Sequence, residues 1–390
     1  LRLAQGRADD ARRWLERAAG ALPPALESQR QEALVRLSAP SIPNENTHPA
    51  LAPATTTGSE VTAAVLLPTQ GRLEATGRAI QDGLLQAYLE QAPEQRPTVK
   101  FFSTDDQPAS AVIAAQQALQ AGAGSIIGPL DKPAVEAVAR KVPASVPMLA
   151  LNRADIARKG LIQFGLPPED EARIAARRAL ASGRRAAWVI IPRNEWGERL
   201  LAGFTETFTP TKGGHVLQIT RYPPSETDFQ ALLKQGWSGA GGADMIFLAA
   251  FAPQARLLCP QMRFVGADRL PVYATSAIDA GSHGAAGDQD LEAVRFPEMP
   301  WLLLPNQGTR TAQDFTVARM QAFGFDAYHL WQQLIINPTL QNLRLMGATG
   351  ALSLAADGRV ERIDLPWAYF SEGHIVSGLP ADESAAMIRP

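Results

Sequence analysis

From residue 61 onward, short apolar runs alternate with segments of helical periodicity, and this alternation restricts the chain to a small set of α/β architectures. The run 61–67 ends at Pro68, and Leu73, Gly77, Ile80, Leu84 and Tyr88 then recur at helical spacing. The pattern repeats as strand 98–103, helix 109–120, strand 125–127, helix 132–140 and strand 147–151. Strands joined by helices of that length need crossover connections, which are right-handed and cover both faces of a parallel sheet. The spacing therefore predicts one doubly wound lobe.

A second series opens after 161–165. Pro167 and Pro168 suit a first helical turn, and Glu169, Asp170 and Glu171 oppose the positive end of the helix dipole, so a helix is expected to about residue 181. Strand 186–191, helix 195–208, strand 215–222, helix 228–234 and strands 244–249 and 271–275 follow. Further on, 294–304 reads as extended, 311–324 and 326–336 as two helices, and 350–354 with 360–369 as a hairpin turning at Ala356-Asp357-Gly358. The fold class is α/β with two doubly wound lobes, the first about 60–160 and 296–345, the second about 161–295 and 346–390.

Ahead of this body, Leu3, Ala8, Ala11, Leu15, Ala18 and Leu22 place apolar groups at helical spacing, so 1–38 reads as the end of a tetratricopeptide-like α-helical domain. The stretch 39–59, rich in Pro, Thr, Ala and Asn, reads as a linker. Leu1 follows neither a methionine nor an apolar signal segment, as expected of a fragment whose targeting region is missing.

Few kinds of chemistry fit the residues. A net charge of −2 supplies no field that would gather nucleic acid. Phosphate-loop, dinucleotide and G-x-S-x-G or S-x-x-K signatures do not occur, and the five histidines stand singly, so no cofactor, metal or catalytic residue is assigned. The carboxylates at 169–171 are accounted for by helix polarity, and Arg173, Arg177, Arg178, Arg184 and Arg185 read as a solvated face. In open α/β sheets a ligand lies beyond the C-terminal strand ends. The cleft candidates taken from those loops and nearby helix starts are Thr69, Gln70, Gly128, Pro129, Asn152, Arg193, Trp196, Thr275, Ser276 and Tyr328.

The order of these loops, with Ile127-Gly128-Pro129, Asn194-Glu195-Trp196-Gly197 and Tyr273-Ala274-Thr275-Ser276, resembles the type I periplasmic binding proteins, the branched-chain amino acid group in particular. Longer stretches resemble the LpoA family of lipoprotein activators of penicillin-binding proteins. They are Pro168-Glu169-Asp170-Glu171-Ala172-Arg173, Gly183-Arg184-Arg185, Ile191-Pro192-Arg193-Asn194, Gly324-Phe325-Asp326-Ala327-Tyr328 and Gly347-Ala348-Thr349-Gly350-Ala351-Leu352. The resemblance implies a non-enzymatic outer-membrane lipoprotein anchored to the inner leaflet and facing the periplasm. It would bind and stimulate a bifunctional penicillin-binding protein, the peptidoglycan synthase, with peptidoglycan or a small ligand as further partners of the cleft. The alternative is a solute-binding receptor of an amino acid ABC transporter. Where amino acid-binding relatives hold the ligand carboxylate with small hydroxyl residues, Asp131 and Arg153 stand in this chain, which counts against that alternative.

Overall fold

The computed structural model describes residues 62–209, 213–281, 286–303, 312–336, 344–380 and 383. The expected N-terminal helical segment and linker lie outside them. Among the described residues, β1 (Thr62–Pro68), α1 (Glu74–Leu89), β2 (Thr98–Thr104), α2 (Pro108–Gln120), β3 (Ser125–Ile127), α3 (Lys132–Lys141), β4 (Met148–Ala150) and β5 (Leu161–Phe164) build the first unit of alternation. The second comprises α4 (Pro168–Ala181), β6 (Ala186–Pro192), α5 (Glu195–Phe208), β7 (His215–Tyr222), α6 (Gln230–Gly239), β8 (Met245–Leu248), α7 (Ala252–Met262), β9 (Val272–Ala274) and β10 (Arg295–Pro297). A long helix, α8 (Ala312–Ile336), is followed by β11 (Arg344–Gly347), β12 (Gly350–Leu354), β13 (Arg359–Asp364), β14 (Trp367–Ser371) and β15 (His374–Ser377).

One sheet runs β11-β12-β13-β5-β4-β3-β1-β2 and the other β15-β14-β10-β9-β8-β6-β7. Their parallel portions, β2-β1-β3-β4-β5 and β7-β6-β8-β9-β10, repeat one strand order, so the reversal of winding falls beside β1 in the first lobe and β6 in the second. Val65 and Leu66 of β1 and Val189 and Ile190 of β6 are fully buried because helices cover both faces of these central strands.

Several expectations are corrected. Where two helices were expected, at 311–324 and 326–336, the described residues Ala312–Ile336 form the single helix α8. Gly324 does not end it, because it serves a close crossing: a Cβ there would lie 2.0 Å from the Ile80 carbonyl, and one on Gly83 would lie 1.8 Å from that of Gln321. Helix α7 lies in a stretch where no element was expected; its Pro253 sits in the first turn, where a missing N–H costs nothing. Helix α6 begins later than expected and runs to Gly239. Among the described residues of 294–304, only Arg295–Pro297 is strand, and Pro300–Leu302 is a 3-10 turn.

The expected strand 360–369 is two strands in two sheets. Its N-terminal part, β13, pairs with β12 and, in parallel, with β5; β14 pairs with β10 of the other sheet. Pro366 lies at the crossing and lacks the N–H a continuing ladder would need. The lobe limits shift accordingly. β5, β12 and β13 belong to the first sheet, although 161–165 and 346–364 were expected in the second lobe.

Candidate functional site

The three successive carboxylates at the start of α4 reach into three directions, and this arrangement forms the floor between the lobes. Glu169 pairs with Arg199 of α5, with oxygen–nitrogen distances of 2.6 and 2.8 Å. Asp170, 2% exposed, accepts both terminal nitrogens of Arg153, from the loop after β4, at 3.2 and 2.9 Å, together with the Arg362 backbone N–H. Arg153 also donates to the Val360 carbonyl at 2.6 Å. Glu171 accepts from Arg362 of β13 at 3.1 Å and from the N–H and hydroxyl of Ser276 at 2.8 and 2.7 Å.

α8 makes the remaining link. Arg319 donates to the Ser276 hydroxyl at 2.9 Å and to the Glu298 carboxylate at 2.5 Å. Asp170, Glu171, Ser276 and Glu298 thus lie on the second lobe's elements, and Arg153, Arg319 and Arg362 reach them from the first. Burial alone would raise the Glu171 carboxyl, but Arg362, Arg319 and Ser276 hold it below the usual carboxylate range.

Glu298 behaves oppositely. Burial pushes it up to about 8; Arg319 draws it down, while Asp279 and Glu171 add to the rise. A carboxyl whose folded-state pKa exceeds its unfolded one contributes its full stability below the unfolded value, and loses that contribution as pH rises through the folded one. Stability is therefore expected to fall between about pH 5 and pH 8, and the slope to flatten in Glu298→Gln, as read from urea midpoints across that range. Equal slopes in the two proteins would contradict this assignment.

Above the floor lie two adjoining hollows, which share Leu166, Pro168 and Met320 as lining residues. The larger, about 440 Å³, has apolar walls that include Trp196, Phe251, Met299 and Phe315. Trp196 stacks on Phe251, from the loop after β8, with centroids 4.6 Å apart. The smaller, about 270 Å³, is lined by Asn152, Arg153, Arg199 and Phe323.

Of the sequence candidates, Trp196, Thr275 and Ser276 line the larger hollow and Asn152 the smaller. Thr275 and Ser276 are almost wholly buried, and Asn152 braces its own loop by donating to the Leu130 carbonyl at 2.8 Å. The others are not brought there. Thr69 bonds Ser103 at the end of β1, and Gln70 and Arg193 are exposed. Gly128, at a positive φ beside Pro129, packs so closely that a Cβ would lie 2.2 Å from the Leu66 carbonyl. Tyr328 is fully buried in the first lobe's core and donates to Gln91 at 2.6 Å, since its face of α8 packs on α1. Asp131, 28% exposed, lies 3.6 Å from Arg72.

The sequence reading missed Glu171, Arg319 and Arg362 as floor residues. Arg362 carried a signal: in β13 burial alternates with exposure at 359–362, and Arg362 falls on the buried side, where an arginine needs a counter-charge. The arginines of α4 are not a solvated face either. Arg173 pairs with Asp170 and Glu206, Arg177 donates to the Ile363 carbonyl, and Arg178 lies over the Trp367 ring.

A family model described as "LppC putative lipoprotein" matches residues 54–235 and 235–373. The penicillin-binding protein activator LpoA of Edwardsiella ictaluri is 27% identical over 383 residues, which cover 87% of this chain and 55% of that protein. Among solved structures, the LpoA C-domain from Haemophilus influenzae, described as a regulator of PBP1A, matches with a TM-score of 0.69 at 24% identity, covering 82% of this chain and 100% of that one. The leucine binding protein LivK of Thermotoga maritima matches with a TM-score of 0.51 at 22% identity, covering 83% and 99%. At these identities the two structures establish the fold alone. The chain spans about half the length of the curated relatives it matches. With its two sheets of repeated strand order and a family match over most of its length, the chain belongs to the LppC lipoprotein family and has the type I periplasmic-binding-protein fold.

Proposed function

We propose that this chain is the docking body of a penicillin-binding protein activator, a non-catalytic regulator that binds a bifunctional peptidoglycan synthase from the periplasmic side and stimulates its transpeptidase. Matched relatives bear the name penicillin-binding protein activator LpoA, and the family is described as a lipoprotein family. In the intact protein a lipid anchor would hold it to the inner leaflet of the outer membrane. Segments 1–38 and 39–59 would serve as the end of a helical domain and its linker.

The observation that carries this reading is the internal pairing of the cleft floor. A receptor for a zwitterionic amino acid needs charged groups or hydroxyls free to take the ligand's carboxylate and ammonium. Here Ser276 and Arg362 are engaged by Glu171, Arg319 by Glu298 and Arg153 by Asp170. A free amino acid would have to break buried ion pairs and charge-assisted hydrogen bonds to enter, and the same contacts oppose hinge motion between the lobes. The fold is thus used as a fixed scaffold.

Two measurements on the purified chain test this. A pull-down against bifunctional penicillin-binding proteins of the same cell is expected to retain one of them. Thermal unfolding is expected to be unmoved by the common amino acids at about 1 mM, because a ligand bound only by the folded state would raise the midpoint by mass action. Saturable stabilisation by a free amino acid, with no synthase retained, would favour the transport receptor.

A further inference from the structure

Many guanidinium groups among the described residues pair with a carboxylate. Arg140 meets Glu136 at 2.9 Å, Arg221 meets Glu198 at 2.7 Å and Arg256 meets Asp288 at 2.7 Å. One cavity gathers several arginines that lack such a partner. At the base of the second lobe, on the side of the sheet away from the cleft, a pocket of about 200 Å³ opens between the N-terminal ends of β9 and β10 and the end of α7. Four arginines line it: Arg184, Arg263, Arg269 and Arg295.

Arg295 is paired with Glu383 at 3.1 Å. Among the described residues the other three have no carboxylate partner. Arg263 donates to the carbonyls of Asp290 and Glu292, and Arg184 reaches only the Asp244 carbonyl, at 3.4 Å, leaving its Nε buried without an acceptor. Arg269 is exposed at the rim and makes no hydrogen bond or ion pair among the described residues.

Two carboxylates also line the pocket, and with Arg295 held by Glu383 they leave three arginines against two acids. Glu292 accepts the Glu372 N–H at 2.7 Å and Asp268 is exposed. The inner wall is apolar, formed by Met262, Val272, Val294 and the buried Cys259. Burial pushes the Cys259 thiol up to about 12, so it stays neutral and adds no negative charge.

We propose that this pocket binds a small oxyanion, a carboxylate or phosphate with at most a short apolar body, through Arg184, Arg263 and Arg269. Guanidinium forks match both groups in a bidentate way, and a half-enclosed apolar wall strengthens each charge-assisted bond. The pocket shares no lining residue with the hollows between the lobes, so it is a separate site.

Calorimetric titration of the full chain at low ionic strength with isovalerate and with inorganic phosphate provides the test. At least one is expected to bind saturably with a Kd of about 1 mM or tighter. Arg184→Gln and Arg269→Gln are each expected to weaken that binding about tenfold or more, while Arg193→Gln, an exposed arginine outside the pocket, leaves it unchanged. Because Arg269 is exposed, its substitution does not threaten the fold. Tighter isovalerate binding would put the apolar wall in use, and tighter phosphate binding would assign a bare oxyanion; both support the site. The absence of saturable binding by either probe, or equal weakening by Arg193→Gln, would overturn it.

Discussion

Arg362→Met is expected to destabilise the protein by about 3–5 kcal/mol, because it leaves the buried Glu171 carboxylate without its main counter-charge. Arg362 and Glu171 are both nearly inaccessible, and their pairing ties β13 of the first lobe to α4 of the second. The carboxylate keeps its two bonds from Ser276, and those bonds do not supply a full positive charge. Replacing both partners, as in Arg362→Met with Glu171→Leu, removes the charge together with its need for a partner. The double variant is expected to recover part of the loss, since an apolar pair can substitute for a buried ion pair at little cost. Urea unfolding of the four proteins measures this coupling. A loss under about 1 kcal/mol in Arg362→Met would show that the pair does not hold the lobes.

Asp326→Ala is expected to cost about 3 kcal/mol or more by leaving three donors unmet. Its carboxylate accepts the backbone N–H of Ala348 and of Thr349 at 2.7 Å each, and the Thr349 hydroxyl as well. These bonds join the middle of α8 to the turn between β11 and β12. Burial pushes Asp326 up to about 6, against the pull of its three hydrogen bonds. Asp326→Asn is expected to fall between wild type and Asp326→Ala, because its amide offers one oxygen to donors that met two. Thermal unfolding that ranks the variants otherwise would contradict the assignment.

These two sites also show what the sequence made legible. The stretches 324–328 and 347–352 stood out as motifs far apart in the chain, and the structure brings them together: Asp326 of one grips the turn of the other. Their role is structural, and no local pattern announces a contact across twenty residues of intervening chain. The strand-and-helix alternation, by contrast, was readable almost throughout, because each buried strand and each amphipathic helix records its own environment. It missed α7 and failed where the chain changed sheets at Pro366, an event that depends on which strand edge lies near.

The floor between the lobes was least visible. The carboxylates at 169–171 have a sufficient local explanation in helix polarity, and their partners Arg153, Arg319 and Arg362 come from three separate elements. Only the tertiary fold assembles them. Trp196, Thr275, Ser276 and Asn152 come together beside the cleft because strand-end loops converge in any sheet of this winding, while Tyr328, taken as near the start of an expected helix, lies in the middle of α8 and packs in the core.

The proposed role is that of a lobe-latched body that activates a synthase. The direct measurement is peptide cross-linking of newly made peptidoglycan by a purified bifunctional penicillin-binding protein of the same cell, with and without this chain. The account predicts that the chain binds the synthase and raises the cross-linked product, and that amino acids leave this stimulation unchanged. Absence of binding together with unchanged cross-linking, for every bifunctional synthase of that cell, would contradict it.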